Sequence, residues 1–132
     1  MHVRIQFVVL TCLLMSGGCG TTKSTDELLI DLKSGQEKDR IIAVRLLPQR
    51  KVDAERVVPA MIECLADKQG DVRLSAAIGL GAFGEEARLA IPQLQVAAKD
   101  RDARVRRTAG FALSRIDPNT APTIETSKRP SN

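Results

Sequence analysis

Few residues in this chain have types and spacings that could do chemistry. Glu85 and Glu86 stand side by side, Cys64 is a lone thiol in the body of the chain, and Cys19 follows a run of small residues. Two acid–base pairs recur at one spacing, Asp67 with Arg73 and Asp100 with Arg106. Paired carboxylates suit general acid–base work and a thiol suits nucleophilic attack, but each needs a neighbour that shifts its pKa. The usual neighbour is missing. The one histidine is His2, so the rest of the chain has no imidazole to act as base, triad member or metal ligand. Cys64 has no cation, His or second Cys beside it, which reads as a small core residue rather than a reactive thiol. Glu85-Glu86 opens a helical pattern, where acids favour the positive end of the helix dipole, so a structural role is the simpler reading. No catalytic residue, metal site or cofactor is assigned.

Composition narrows the classes further. Hydrophobic residues make up 43% of the 132 and charged residues 27%, as in a folded globular chain. Aromatics are only 2%, with no Trp or Tyr, so Ala, Leu, Ile and Val must build the core. That opposes an aromatic-walled pocket or a base-stacking platform. The net charge of +4 is too mild for a nucleic-acid partner, and the densest basic run, Arg101 to Arg107, is broken by Asp102.

The first residues carry an address. Arg4 is followed by an apolar stretch from Ile5 to Met15, then by Ser16, Gly17 and Gly18, then by Cys19. The stretch is shorter than the ~20 residues of a membrane-spanning helix and has the order of a signal peptide. It resembles a bacterial lipoprotein signal, in which the Cys after the small residues is lipidated and becomes the new N-terminus. Ser16 departs from that pattern, which prefers Leu three positions before the Cys. The resemblance implies residues 1–18 as signal peptide, Cys19 as the lipidation site and 19–24 as a short tether. It also implies a lipid anchor and a bacterial, exported, periplasm-facing position at the membrane of the cell envelope.

The elements that position the remaining residues repeat. Arg73, Ala76 and Leu80 are echoed 33 residues later by Arg106, Ala109 and Leu113, and 33 earlier by Arg40, Ala43 and Leu47. Pro59 and Asp67 answer to Pro92 and Asp100 at the same step. A fixed period of this size indicates stacked helical pairs, each completing a neighbour's core. Helices are expected from Thr25 as the capping residue, with Leu28, Leu29 and Leu32 apolar, and over 39–47, with Ile42, Ala43, Leu46 and Leu47 inward. Further helices are expected over 57–66 with Pro59 in the first turn, over 71–83 capped by Asp71, from Glu85 to Ala98, and over 103–116. Gly79 and Gly81 inside a helix predict close approach by a neighbour, since each costs about 1 kcal/mol against Ala. From residue 118 the chain turns to Thr, Pro, Ser and Lys, and 118–132 is expected to be a disordered tail.

The motif Asp67…Val72-Arg73…Ala76-Ala77…Gly79-Leu80…Phe83-Gly84, followed by Ala90-Ile91-Pro92-Gln93-Leu94, resembles the HEAT repeat, and within it the short phycobilisome-lyase-type form. The resemblance spans 25–117. It implies an all-α fold, a short α-solenoid of antiparallel helix pairs, and a protein-binding scaffold that is not an enzyme. Asp67, Arg73, Asp100 and Arg106, paired at six residues, are then a structural ladder, the acid at the end of one helix bonding near the next helix's Arg. Ser34 stands in place of the acid before Arg40, so a weaker first junction is expected. Some relatives attach bilin chromophores, but a short, aromatic-poor chain with an export signal opposes that activity.

The leading expectation is an envelope-tethered helical-repeat module that binds a protein partner. Exposed positions on the concave, second-helix row, Glu63, Arg88, Gln95 and Lys99, are its candidate contacts. The final helix lacks a partner helix, so its apolar flank is a second candidate surface, to be covered by the tail through Ile124 or by another chain. A structural spacer without a specific site is the alternative.

Overall fold

A computed structural model of the chain describes residues 23–119. Among them there are six α-helices and no strand: α1 (Thr25–Asp31), α2 (Glu37–Leu46), α3 (Ala54–Cys64), α4 (Gly70–Phe83), α5 (Ile91–Ala97) and α6 (Ala103–Ile116). Short 3-10 segments at Leu47–Gln49, Lys51–Asp53 and Gly84–Ala90 join them. The signal peptide, Cys19 and nearly all of the 118–132 tail lie outside the described residues.

The helices form two rows of a short α-solenoid. First helices α2, α4 and α6 pack side by side, and second helices α1, α3 and α5 each lie against the first helix of the next repeat. The core follows the 33-residue step. Leu28, Met61 and Leu94 form one row of fully buried side chains, and Leu47, Leu80 and Leu113 another. Ala43, Ala76 and Ala109 are a third fully buried set at the same step. Large side chains and alanines, each set in register, let an almost aromatic-free chain reach close packing.

Local chemistry sets several boundaries differently from the sequence pattern. Ser24, not Thr25, caps α1, its hydroxyl accepting from the Glu27 amide while the Glu27 carboxylate accepts from the Ser24 amide. Asp71 lies in the first turn of α4, after the cap at Gln69. The α3 helix starts at Ala54, so Pro59 sits inside it rather than in its first turn, removing one amide donor from the interior. Glu85 and Glu86 open a 3-10 segment, and Ala87 departs from helical geometry before α5 begins at Ile91. In α2 the inward set is Arg40, Ala43 and Val44, while Ile42 and Leu46 face outward.

The glycines of α4 are where a neighbour comes close. A β-carbon on Gly79 would collide with Met61 Cε and lie 2.6 Å from Pro48 Cγ; one on Gly81 would lie 3.2 Å from Ala112 Cα. Gly84 ends the helix with φ of 61°, the left-handed region that glycine enters freely. Arg115 Nε donates to Gly81 O at 3.0 Å, satisfying a carbonyl in the last turn of α4.

Candidate functional site

The repeats are held in register by a chain of arginines, and this sets the spacing of the surface above them. Arg73 donates through Nε and Nη2 to both oxygens of Asp100, at 2.7 and 2.9 Å, and Arg40 does the same to Asp67, at 2.8 and 3.2 Å. Each arginine also donates through Nη1 to backbone carbonyls before its own helix: Arg73 to Asp67 and Lys68, Arg40 to Ser34 and Gly35. The ladder expected from sequence is wired through two different oxygens of each acid. The acid six residues before each arginine offers its backbone carbonyl, and its carboxylate goes to the arginine 27 residues earlier. Arg106 reaches the carbonyls of Asp100 and Arg101 but meets no carboxylate among the described residues.

At the first junction, where a weaker link was expected, Arg40 still finds a bidentate partner in Asp67. Ser34 performs the turn half of the acid's work. Its hydroxyl accepts from the Gln36 amide, as Asp67 accepts from Gln69 and Asp100 from Asp102. Both arginines are buried and their acids nearly so. The Arg73 guanidinium holds the Asp100 carboxyl below its ordinary range. At Asp67 burial pushes the other way, yet the bonds from Arg40 and the Gln69 amide leave it lowered as well.

Above this ladder the second helices stand apart, and grooves open between them. Between α1 and α3 lies a groove of about 470 Å³ lined by Leu29, Ile30, Pro59, Ala60, Glu63 and Cys64, among others. Between α3 and α5 lies one of about 560 Å³ lined by Ile62, Leu65, Pro92, Gln93, Val96 and Ala97, among others. These are one groove drawn twice: the 33-residue step carries Leu29 to Ile62, Pro59 to Pro92, Ala60 to Gln93 and Cys64 to Ala97. Ile30 and Val96 are each almost three-quarters exposed at equivalent positions, with Glu63 between them in the series.

Three of the four contact residues expected from sequence line these grooves, Glu63 in the first and Gln95 and Lys99 in the second. Arg88, in the 3-10 segment before α5, lines neither. Sequence reasoning selected polar residues and passed over Ile30 and Val96, although the 33-residue step from Glu63 reaches both. Lys33 and Glu63 at the first groove and Lys99 at the second form no ion pair among the described residues. Arg56, on the rim of the first, is engaged by Asp26.

Cys64 opens onto the first groove but remains buried, and burial pushes its thiol up to about 11. A thiol held that high is almost wholly protonated at neutral pH and a poor nucleophile. Glu85 and Glu86 are exposed and line neither groove, and no cluster of potential metal ligands occurs among the described residues.

A family model described as HEAT repeats matches residues 25–114, about two-thirds of the chain, from the start of α1 into the last turn of α6. The chain belongs to the HEAT repeat family. In that family the paired helices serve in general as non-enzymatic scaffolds and commonly mediate contacts between proteins. No curated protein matches this HEAT repeat chain. Among its described residues no helix is long and apolar enough to cross a membrane.

Proposed function

We propose that this HEAT repeat chain is a protein-docking module held at the bacterial cell envelope by a lipid on Cys19, and that its second-helix face is the contact surface. The observation that carries the docking surface is the groove repeated between α1 and α3 and between α3 and α5, with Ile30 and Val96 exposed at equivalent positions. Exposed aliphatic side chains over a rigid, periodic frame suit a partner that lies across consecutive repeats, each groove taking an apolar side chain from it. Glu63, Lys33 and Lys99 then set orientation from the rim, where charges favour specificity over affinity. The tether rests on the signal-like order of residues 1–19.

The test has two separable parts. Expressed with its own signal, the chain should yield a mature species starting at Cys19 with acyl mass, partitioning into detergent, and Cys19→Ala should abolish both. A soluble, unmodified species would remove the anchor and leave the docking face standing. A photo-crosslinker at Gln95 should then capture one envelope protein saturably, and Ile30→Asp with Val96→Asp should abolish capture. Indiscriminate crosslinking of many envelope proteins, unchanged by those substitutions, would favour a spacer instead.

A further inference from the structure

The first helices turn a second surface away from the grooves. On α4, Val72, Ala76 and Leu80 are buried in the core, so Asp71, Leu74, Ile78 and Ala82 run along the opposite side of the helix. The 33-residue step continues that stripe on α2 and α6. Arg45, Ile78 and Phe111 form one row across the three helices, and Lys38, Asp71 and Arg104 form another. Ile78 is 58% exposed although α2 and α6 pack on α4 from either side, so an interior repeat sets its exposure and not an end of the stack. Phe111, at the same position of the next repeat, lines the cleft between α4 and α6 with it.

Cations surround these two side chains. Lys38, Arg45 and Arg107, all exposed, form no ion pair among the described residues. Arg115 lines the same cleft and donates its Nε to Gly81 O, with no carboxylate beside it among the described residues. Asp71 is the one acid on the stripes, and Arg104 holds it at 3.0 Å. The face therefore presents uncompensated positive charge around an exposed Ile and an exposed Phe.

We propose that this first-helix face rests on a membrane surface of anionic lipid. Long side chains whose cationic ends meet the headgroups, with Ile78 and Phe111 entering the boundary beneath them, suit an interface between water and acyl chains. A protein partner is a poorer match. The cleft between α4 and α6 holds about 280 Å³, half of the 560 Å³ between α3 and α5, and gives a partner's side chain correspondingly less room. A second copy would set like charges face to face. Residues 1–22 hold no acid and residues 120–132 hold only Glu125, so neither segment outside the described residues brings the counter-charge. Bound in this way, the module leaves its second-helix grooves facing away from the membrane. The contact does not depend on a lipid at Cys19.

The chain has no tryptophan, so one introduced residue reports on its own surroundings. The full chain with Cys19→Ala, carrying Ile78→Trp, Ala82→Trp or Val96→Trp, is mixed with vesicles of phosphatidylcholine and phosphatidylglycerol in equal parts, their acyl chains brominated. Bromine should quench Trp at 78 and 82 and spare it at 96, and vesicles of phosphatidylcholine alone should quench far less. Arg45→Gln with Arg107→Gln should weaken binding on the order of twentyfold, each cation near the surface being worth about fivefold. Equal quenching at 78 and 96 overturns the proposal, since apolar residues 5–15 would then bring the chain to the vesicle without orienting it. Quenching at neither 78 nor 82, quenching unchanged without phosphatidylglycerol, or binding indifferent to Arg45 and Arg107 overturns it as well. A blue shift of Trp at 78 with poly-glutamate but not with vesicles would overturn it in favour of an acidic protein.

Discussion

Arg73→Met tests the ladder most directly. It removes two bonds to the Asp100 carboxylate, at 2.7 and 2.9 Å, and two to the carbonyls of Asp67 and Lys68, at 2.8 and 3.2 Å. The Asp100 side chain keeps only 11% of its exposure, so the charge left behind retains the Asp102 amide and little water. Breaking a buried pair from one side costs about 3–5 kcal/mol, and the lower end applies here because one amide bond survives. With a urea slope near 1.5 kcal/mol per molar, a loss of about 3 kcal/mol lowers the unfolding midpoint by roughly 2 M. Arg40→Met should cost as much, since Arg40 is paired in the same way. Arg106→Met should cost about 1 kcal/mol or less, since Arg106 is exposed and spans no carboxylate among the described residues. Asp100→Leu added to Arg73→Met should recover about half of the loss, because no buried charge is then stranded. The assay is urea unfolding followed by circular dichroism. Equal losses at Arg73 and Arg106, or strictly additive losses in the double variant, would refute the orphaned charge as the cause.

Other outcomes follow from the same structure. Gly110→Ala should raise stability by about 1 kcal/mol, because the helix gains propensity and the β-carbon meets nothing within 4 Å. Gly79→Ala should lower it by about 1–2 kcal/mol, since Met61 and Pro48 must move, and thermal melts of the two variants distinguish these signs. The carboxyls of Asp67 and Asp100 are lowered in the folded chain, so their contribution is complete above the unfolded value of about 4 and is lost as pH falls through the lower folded values. The urea midpoint should therefore hold from pH 7 to about 5 and fall below about 4, and Asp67→Asn with Asp100→Asn should flatten most of that fall. Cys64, buried with its thiol at about 11, should react with a thiol reagent on the order of a hundredfold more slowly than an exposed cysteine, and urea should abolish the protection.

The period of 33 was enough to place the core. It put Leu47, Leu80 and Leu113 in one row, and the structure buries all three, because a stacked repeat can complete its core only with the same position of its neighbour. The interior glycines were legible for a related reason. Glycine is costly within a helix, and at Gly79 and Gly81 close contacts from Met61, Pro48 and Ala112 explain its presence. Local pattern misjudged α2, where Ile42 and Leu46 look inward by type but face outward, since Arg40 takes the inward position to reach Asp67.

Tertiary structure alone decided how the ladder is wired and where the grooves lie. Asp67 with Arg73 reads as a pair because six residues separate them, yet that spacing brings the arginine to the aspartate's backbone carbonyl. The carboxylate turns to Arg40, 27 residues away, and spacing cannot show which oxygen of a residue an arginine meets. Nor could sequence tell that the second helices stand far enough apart to leave Ile30 and Val96 beside open grooves. An aliphatic residue on a helix reads as core until the distance to the next helix is known, and packing sets that distance.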